Sequence, residues 1–156
     1  MQRRGRYDRG VSRAAGGKFR ILAHLRGGET TEASLVAVES GSAGAAPGLA
    51  VMKRLKLGAD AEPELLERFS DEARLCKRLD HPNLTKLLEA GQDEDGPVLV
   101  FEYVEGASLA RLRSRALKRG SGVPLPIALH IVKELAKGLA YAHALTDEAG
   151  KLRLRR

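Results

Sequence analysis

Apolar and polar residues first fall into an alternating order at Phe19, where Phe19, Ile21, Ala23 and Leu25 are interleaved with Arg20, His24 and Arg26. A period of two places the two sets on opposite faces of an extended chain, so a half-buried strand is expected there. The Gly27-Gly28 pair reads as a turn and Leu35-Val36-Ala37-Val38 as the returning strand of a hairpin. Small residues from Gly41 to Gly48, with Pro47, read as a loop, and Leu49 to Leu57 supplies a third strand. The period then changes. Pro63 opens a helix to about Leu79 with Leu65, Leu66, Phe69, Ala73, Cys76 and Leu79 on one stripe. Asp80-His81-Pro82-Asn83 ends that helix, because the residue before a proline avoids helical geometry, and leads into strand four. Leu84 to Leu88 and Val98 to Tyr103 read as strands four and five around a polar turn from Gln92 to Gly96. Ser108 caps a short basic helix through Lys118, and Pro126 opens a longer one to about Leu145 with an apolar face of Ile127, Ile131, Leu135, Leu139 and Ala142. The order is three strands, a helix, two strands, then helices, with no internal repeat. It predicts a strand-rich first part with one helix in it, followed by a helical segment.

Composition narrows the possible partners. At 156 residues and 43% apolar content the chain suffices for one core. Its net charge of +7 is concentrated in the tails: residues 1–20 carry +6 and residues 151–156 carry +4, leaving −3 for the rest. A nucleic-acid groove needs cations spread over a folded face, usually with stacking aromatics, and the chain has three Phe and three Tyr. Nucleic-acid binding is therefore not expected. No apolar run approaches membrane-spanning length, and no apolar stretch follows the N-terminal arginines, so neither a membrane span nor a secretory signal is expected. The single cysteine, Cys76, fits a reducing, cytoplasmic setting and reads as a small buried hydrophobe. Residues 1–17, rich in Arg and Gly, read as a flexible basic lead-in.

Two residues draw attention as chemistry. Lys53 sits on the strand Ala50-Val51-Met52-Lys53 and shares a face with Val51 and Leu55. Taken alone it reads as a solvated edge residue. Glu72 follows 19 positions later, three after Phe69 and four before Cys76, which places it on or beside the apolar stripe of its helix. A carboxylate there loses hydration and needs a cation or donors, which Lys53 could provide. A surface pairing of Glu72 with Arg68 or Arg74 is the alternative. His130 and His143 read as core or surface histidines of their helix and not as metal ligands.

With His81-Pro82-Asn83 following, these residues resemble the eukaryotic-type serine/threonine protein kinase family, particularly its bacterial members, over roughly Phe19 to Leu145. The resemblance implies an α+β fold: a small lobe with hinge over residues 18–106, made of a five-stranded antiparallel sheet with one helix packed on it, and part of a second, helical lobe over 107–156. In the family the strand lysine holds the α and β phosphates of ATP and the helix glutamate positions it, roles falling here on Lys53 and Glu72. Phe101-Glu102-Tyr103-Val104-Glu105-Gly106 is similar to the gatekeeper and hinge. Phe101 would be the gatekeeper, and the backbone of Glu102 and Val104 would meet the adenine edge. Val51 would lie under the adenine ring, where the family often has alanine. Gly138 to His143 is similar to the end of the helix that precedes the catalytic loop.

The glycine-rich loop departs from the family pattern Gly-x-Gly-x-x-Gly-x-Val, in which glycines let backbone amides approach phosphate oxygens. Anchored on Leu25, only Gly28 matches; Arg26, Thr31 and Ala33 replace the other positions, and Glu29 adds negative charge. ATP affinity is therefore expected to be weak, and an ordinary hairpin turn competes with a phosphate clamp. The His-Arg-Asp and Asp-Phe-Gly segments, which supply the base and the magnesium ligands in intact relatives, do not occur in the 156 residues. The expectation is a truncated, catalytically incompetent piece of a kinase with no catalytic residue and no metal ligand of its own. Its partner would be the missing part of the second lobe or another protein. A non-catalytic kinase-like interaction module is the alternative. Residues that neighbour the Pro126–Leu145 helix in the family lie beyond Arg156, so part of its apolar face is expected to be exposed.

Overall fold

The computed structural model describes residues 13–14, 19–25, 27–38, 48–56, 63–147 and 150–151. The expected lead-in lies outside them apart from Arg13–Ala14, as does most of the small-residue loop after Val38. The elements are β1 (Arg13–Ala14), β2 (Phe19–His24), β3 (Thr31–Val38), β4 (Gly48–Leu55), α1 (Pro63–Arg78), β5 (Leu87–Asp93), β6 (Gly96–Glu102), α2 (Leu109–Lys118), α3 (Leu125–Ala144), β7 (Thr146–Asp147) and β8 (Gly150–Lys151). Contacts divide the chain into two units. The first comprises residues 1–78 and 87–103, and the second 79–86 and 104–156.

In the first unit the strands pair antiparallel in the order β1-β2-β3-β4-β6-β5. The five expected strands are all present, and the two-residue β1 adds a sixth at the β2 edge. Strand β3 starts at Thr31, four residues before the apolar run, because its polar positions find partners across the sheet. The Ser34 hydroxyl lies 3.1 Å from His24 Nδ1, and Glu32 accepts from Arg54 at 3.2 Å. Strand β5 runs from Leu87 to Asp93, not from Leu84 to Leu88. Residues 84–86 belong instead to the second unit. The β5–β6 turn is tighter than expected: Asp93 pairs with Gly96, and Asp93 Oδ1 accepts from the Asp95 amide at 3.1 Å. Gly96 holds a positive φ of 128°, which a side chain would strain.

The alternation along β4 sets two cores. Ala50 and Met52 face Phe19, Val36, Val38, Val98 and Val100, all buried, with Ile21 and Leu88 at the margin. No described helix covers this face, and the strands, twisted as sheets are, bury it against one another. On the other face Leu55, Phe69 and Leu99 form the second core, and Leu65, Ala73, Leu87, Ala90 and Phe101 pack on it. Helix α1 therefore lies over the face that carries Val51 and Lys53. Only Phe69 of its stripe is fully buried; Leu66 is exposed.

In the second unit, His81-Pro82-Asn83 does more than end a helix. Asn83 Nδ2 donates to the backbone oxygen of Glu134 at 2.7 Å and to Glu134 Oε2 at 2.8 Å. The His81 ring rests against Tyr141 with centroids 5.1 Å apart, and the Asp80 amide donates to the Tyr141 hydroxyl at 3.2 Å. Gly138 permits this approach: a Cβ there would meet the Asn83 carbonyl and Leu84 Cδ2, both at 3.3 Å. Helix α3 thus packs through Ile131, Glu134, Gly138, Tyr141 and Ala142. Of the five residues expected on one apolar face, Ile127, Leu135 and Leu139 are exposed, Ile131 is half-buried and Ala142 is buried. No described helix is long and apolar enough to cross a membrane.

The Glu134 carboxyl is held down at about 2, first by the hydrogen bond from Lys137 and then by that from Asn83. Its ordinary value is 4.5, so its contribution to this packing is complete above that pH and fades as pH falls toward 2. An NMR titration following the Glu134 carboxyl is expected to show a midpoint near 2; one near 4.5 would mean that neither partner holds the charge.

Candidate functional site

Period-two geometry puts Lys53 of β4 on the same face as Val51 and Leu55, opposite Leu99 of β6 and Ala33 of β3. Helical geometry turns Glu72 of α1 toward that face, one turn from Phe69. Lys53 Nζ donates to both carboxylate oxygens of Glu72, at 2.6 and 2.7 Å. It also stands 5.8 Å from the centroid of the Phe69 ring, within reach of a cation–π attraction. The two side chains keep 30% and 37% of their surface exposed. An ion pair this open contributes about 0–1 kcal/mol to stability, so its geometry matters to a site more than to the fold. The alternative partners of Glu72 are engaged elsewhere, Arg68 with Glu64 and Arg74 with Asp71.

Cys76, one turn beyond Glu72, is a half-buried free thiol. Burial raises its pKa, the Glu72 charge raises it further, and Lys53 partly offsets both. At neutral pH it is a protonated, poorly nucleophilic group.

Around this pair, Val51 is half-buried between Leu35 and Phe101, its register partners on β3 and β6. Phe101 is half-buried and packs against the α1 core. Glu102 ends β6 opposite Ala50, while Val104, which belongs to the second unit, is exposed.

The Gly27-Gly28 turn separates into two roles. A Cβ on Gly27 would lie 2.4 Å from the Thr31 carbonyl oxygen and 2.8 Å from Glu32 Cα, so this glycine is demanded by the hairpin. A Cβ on Gly28 would meet only Thr31 Oγ1, at 3.7 Å, an ordinary contact, so the fold itself does not demand a glycine there. The Gly28 carbonyl accepts from Lys56 Nζ at 3.0 Å. Gly27→Ala is expected to cost about 1–3 kcal/mol through the forced backbone shift, whereas Gly28→Ala is expected to leave stability nearly unchanged. Urea denaturation of both variants checks this, and equal losses would contradict the division.

Sequence reasoning missed Arg54. It lies on the Met52 face, buried, and donates to Asp93 Oδ2 at 2.5 Å and to Glu32 Oε1 at 3.2 Å, with Asp95 at 3.5 Å. Burial acts to lower its pKa, but Asp93 and Glu32 outweigh that and raise it, so the guanidinium stays charged. The signal was available: extending the Ala50-Met52 alternation by two puts a cation on an apolar face, where it needs an acid.

Comparison with known proteins fits this arrangement. The family description "Protein kinase domain" matches residues 37–146. Among curated relatives, the chain is 36% identical over 101 residues to the tyrosine-protein kinase MasK of Myxococcus xanthus, covering 65% of this chain and 16% of that protein. It is 33% identical over 129 residues to the serine/threonine-protein kinase pkn2 of the same organism, covering 81% of this chain and 14% of that one. With PrkC of Bacillus subtilis, a serine/threonine-protein kinase, identity is 32% over 92 residues, covering 59% of this chain and 14% of the relative. The PknI kinase domain of Mycobacterium tuberculosis superposes with a TM-score of 0.64 at 25% identity, covering 86% of this chain and 50% of that structure. The chain therefore spans about half of a solved kinase domain and a much smaller share of the curated relatives.

Proposed function

Because the chain belongs to the protein kinase domain family, we propose that its first unit is the nucleotide-binding lobe of a bacterial-type serine/threonine protein kinase. The observation that carries this reading is the two-oxygen grip of Glu72 on Lys53, which fixes an ammonium on an accessible sheet face where triphosphate oxygens could reach it. Lys53 holds the α and β phosphates and Glu72 orients it. Gly28, where the fold does not itself require a glycine, faces the phosphate chain. Val51 supports the adenine ring, Phe101 acts as gatekeeper, and the backbone of Glu102 meets the adenine edge. The lobe's residues fit ATP, though with one loop glycine in place and Glu29 beside it the affinity is weak. In intact relatives magnesium would neutralise the phosphates. Neither its ligands nor the base for the acceptor hydroxyl is identifiable within the 156 residues, and no step is assigned to them.

The serine/threonine assignment follows the names of pkn2 and PrkC, against the tyrosine kinase name of MasK. A cytoplasmic setting is part of the same reading. The non-catalytic docking module is not favoured, since a docking role alone gives no reason for a paired, accessible lysine.

The test is an NMR titration of the 156-residue polypeptide with ATP. Amide shifts at Gly28, Lys53 and Glu102 are expected, and Lys53→Ala is expected to weaken binding about tenfold or more while changing stability by less than about 1 kcal/mol. Identical ATP responses of the two proteins would overturn the assignment. In a radiolabel assay with Ser/Thr and Tyr acceptors, residues 1–156 alone are expected to transfer no phosphate above the Lys53→Ala background.

A further inference from the structure

One residue ties the end of β4 to the β2–β3 turn twice. The Lys56 amide donates to the Thr30 carbonyl at 2.9 Å, which continues the β3–β4 ladder one pair past Thr31 and Leu55. The Lys56 ammonium then reaches the tip of the turn and donates to the Gly28 carbonyl at 3.0 Å. Lys56 is exposed, and among the described residues its ammonium forms no ion pair, although Glu29 adjoins the carbonyl it holds. The fold crowds Gly27 but not Gly28, so the Lys56 bond is the described contact that sets the plane of the Gly28–Glu29 peptide. That peptide is trans, and its C=O and N–H therefore point in opposite directions. A carbonyl drawn toward Lys56 turns the Glu29 N–H away from it, and among the described residues that amide has no backbone acceptor. Period two sets Arg54 and Lys56 on one side of the strand and Lys53 on the other.

We infer that Lys56 is a positioning residue of the nucleotide site: by holding the Gly28 carbonyl, it presents the Glu29 amide to the phosphates of ATP on the side that carries Lys53. The bond supplies by restraint what additional glycines would supply by conformational freedom, a backbone donor aimed at a phosphate oxygen. The acidity of Glu29 does not prevent this, because the donor belongs to the main chain and the exposed carboxylate is free to extend into water. An exposed contact made by a flexible lysine adds little to the fold, so its effect falls on the ligand instead. The role of Lys56 rests on the nucleotide reading proposed above and adds to it the device that orients the turn.

The experiment is an NMR titration of the 156-residue chain with ATP and, separately, with adenosine, for the parent, Lys53→Ala, Lys56→Met and Lys56→Arg. Methionine keeps the apolar stem and removes the donor, whereas arginine restores a charged donor. Lys56→Met is expected to weaken ATP binding about fivefold, to leave adenosine binding unchanged and to abolish the ATP-induced shift of the Glu29 amide. Lys56→Arg is expected to recover most of both, and the urea midpoint is expected to be the same for the parent and the two Lys56 variants. ATP binding by Lys56→Met equal to that of the parent overturns the role of Lys56, and the nucleotide reading then stands without it if Lys53→Ala weakens ATP in the same series. Weaker ATP binding with the Glu29 response intact also overturns it, since Lys56 would then act only as a distant charge. If neither Lys53→Ala nor Lys56→Met alters the response to ATP, the nucleotide reading and the role of Lys56 fall together.

Discussion

Replacing Arg54 by methionine is expected to cost the first unit about 3–5 kcal/mol, a large share of the 5–15 kcal/mol that holds a typical domain folded. The reason is what the substitution leaves behind. Arg54 and Asp93 keep only 10% and 9% of their side-chain surface in water, so removing the guanidinium strands a buried carboxylate that retains the Asp95 amide as a donor. The same cation joins β3 through Glu32 and the β5–β6 turn through Asp95, tying three parts of the sheet to β4. Urea denaturation followed by far-ultraviolet circular dichroism measures the loss. Arg54→Met combined with Asp93→Leu is expected to recover most of it, because an apolar pair of similar size removes both desolvation costs. A loss below about 1 kcal/mol for the single variant would mean that the cluster behaves as a solvated surface network.

The second large effect concerns α3. Leu125, Leu129, Val132, Leu135 and Leu139 are between 45% and 69% exposed, so one side of a twenty-residue helix offers a continuous apolar surface. Surfaces of this kind drive association. The 156-residue polypeptide is expected to elute and scatter light as oligomers, and Leu129→Glu with Val132→Lys is expected to return it to a monomer. Both positions lie away from the Asn83 and Tyr141 contacts, so helicity is expected to persist. A monomeric parent with slow amide exchange across 127–142 would refute the exposed-face argument.

Much of this arrangement was legible in the residues. Strand β2 announces itself because it buries one face, which produces a period of two, whereas β6 reads as a continuous apolar run because Val98 and Val100 enter one core and Leu99 the other. Strand β5 was misplaced for the converse reason. It is the sheet edge, pairs on one side only, and therefore tolerates Glu89, Gln92 and Asp93, which erase the apolar signal. The Lys53–Glu72 pair could be read because each residue's place on its element was fixed by apolar neighbours. Arg54 could not be read as readily, since one strand position separates a solvated cation from a buried one and its acid lies 39 residues away. The glycine turn shows a further limit: sequence matching selected Gly28, but backbone crowding selects Gly27, and crowding is visible only in three dimensions.

The attachment of Asn83 to Glu134 also has a temporal side. The two residues are 51 positions apart, and Asn83 precedes β5 and β6 in the chain. During synthesis, the segment at 79–86 leaves the ribosome with α1 and is followed by the last two strands of the first sheet, all before its anchor on α3 has been made. The sheet can therefore close while this segment is still unfastened, and only the arrival of α3 pins it. Because the chain crosses between the units at 78–79, at 86–87 and at 103–104, no single peptide-bond cleavage releases either unit whole.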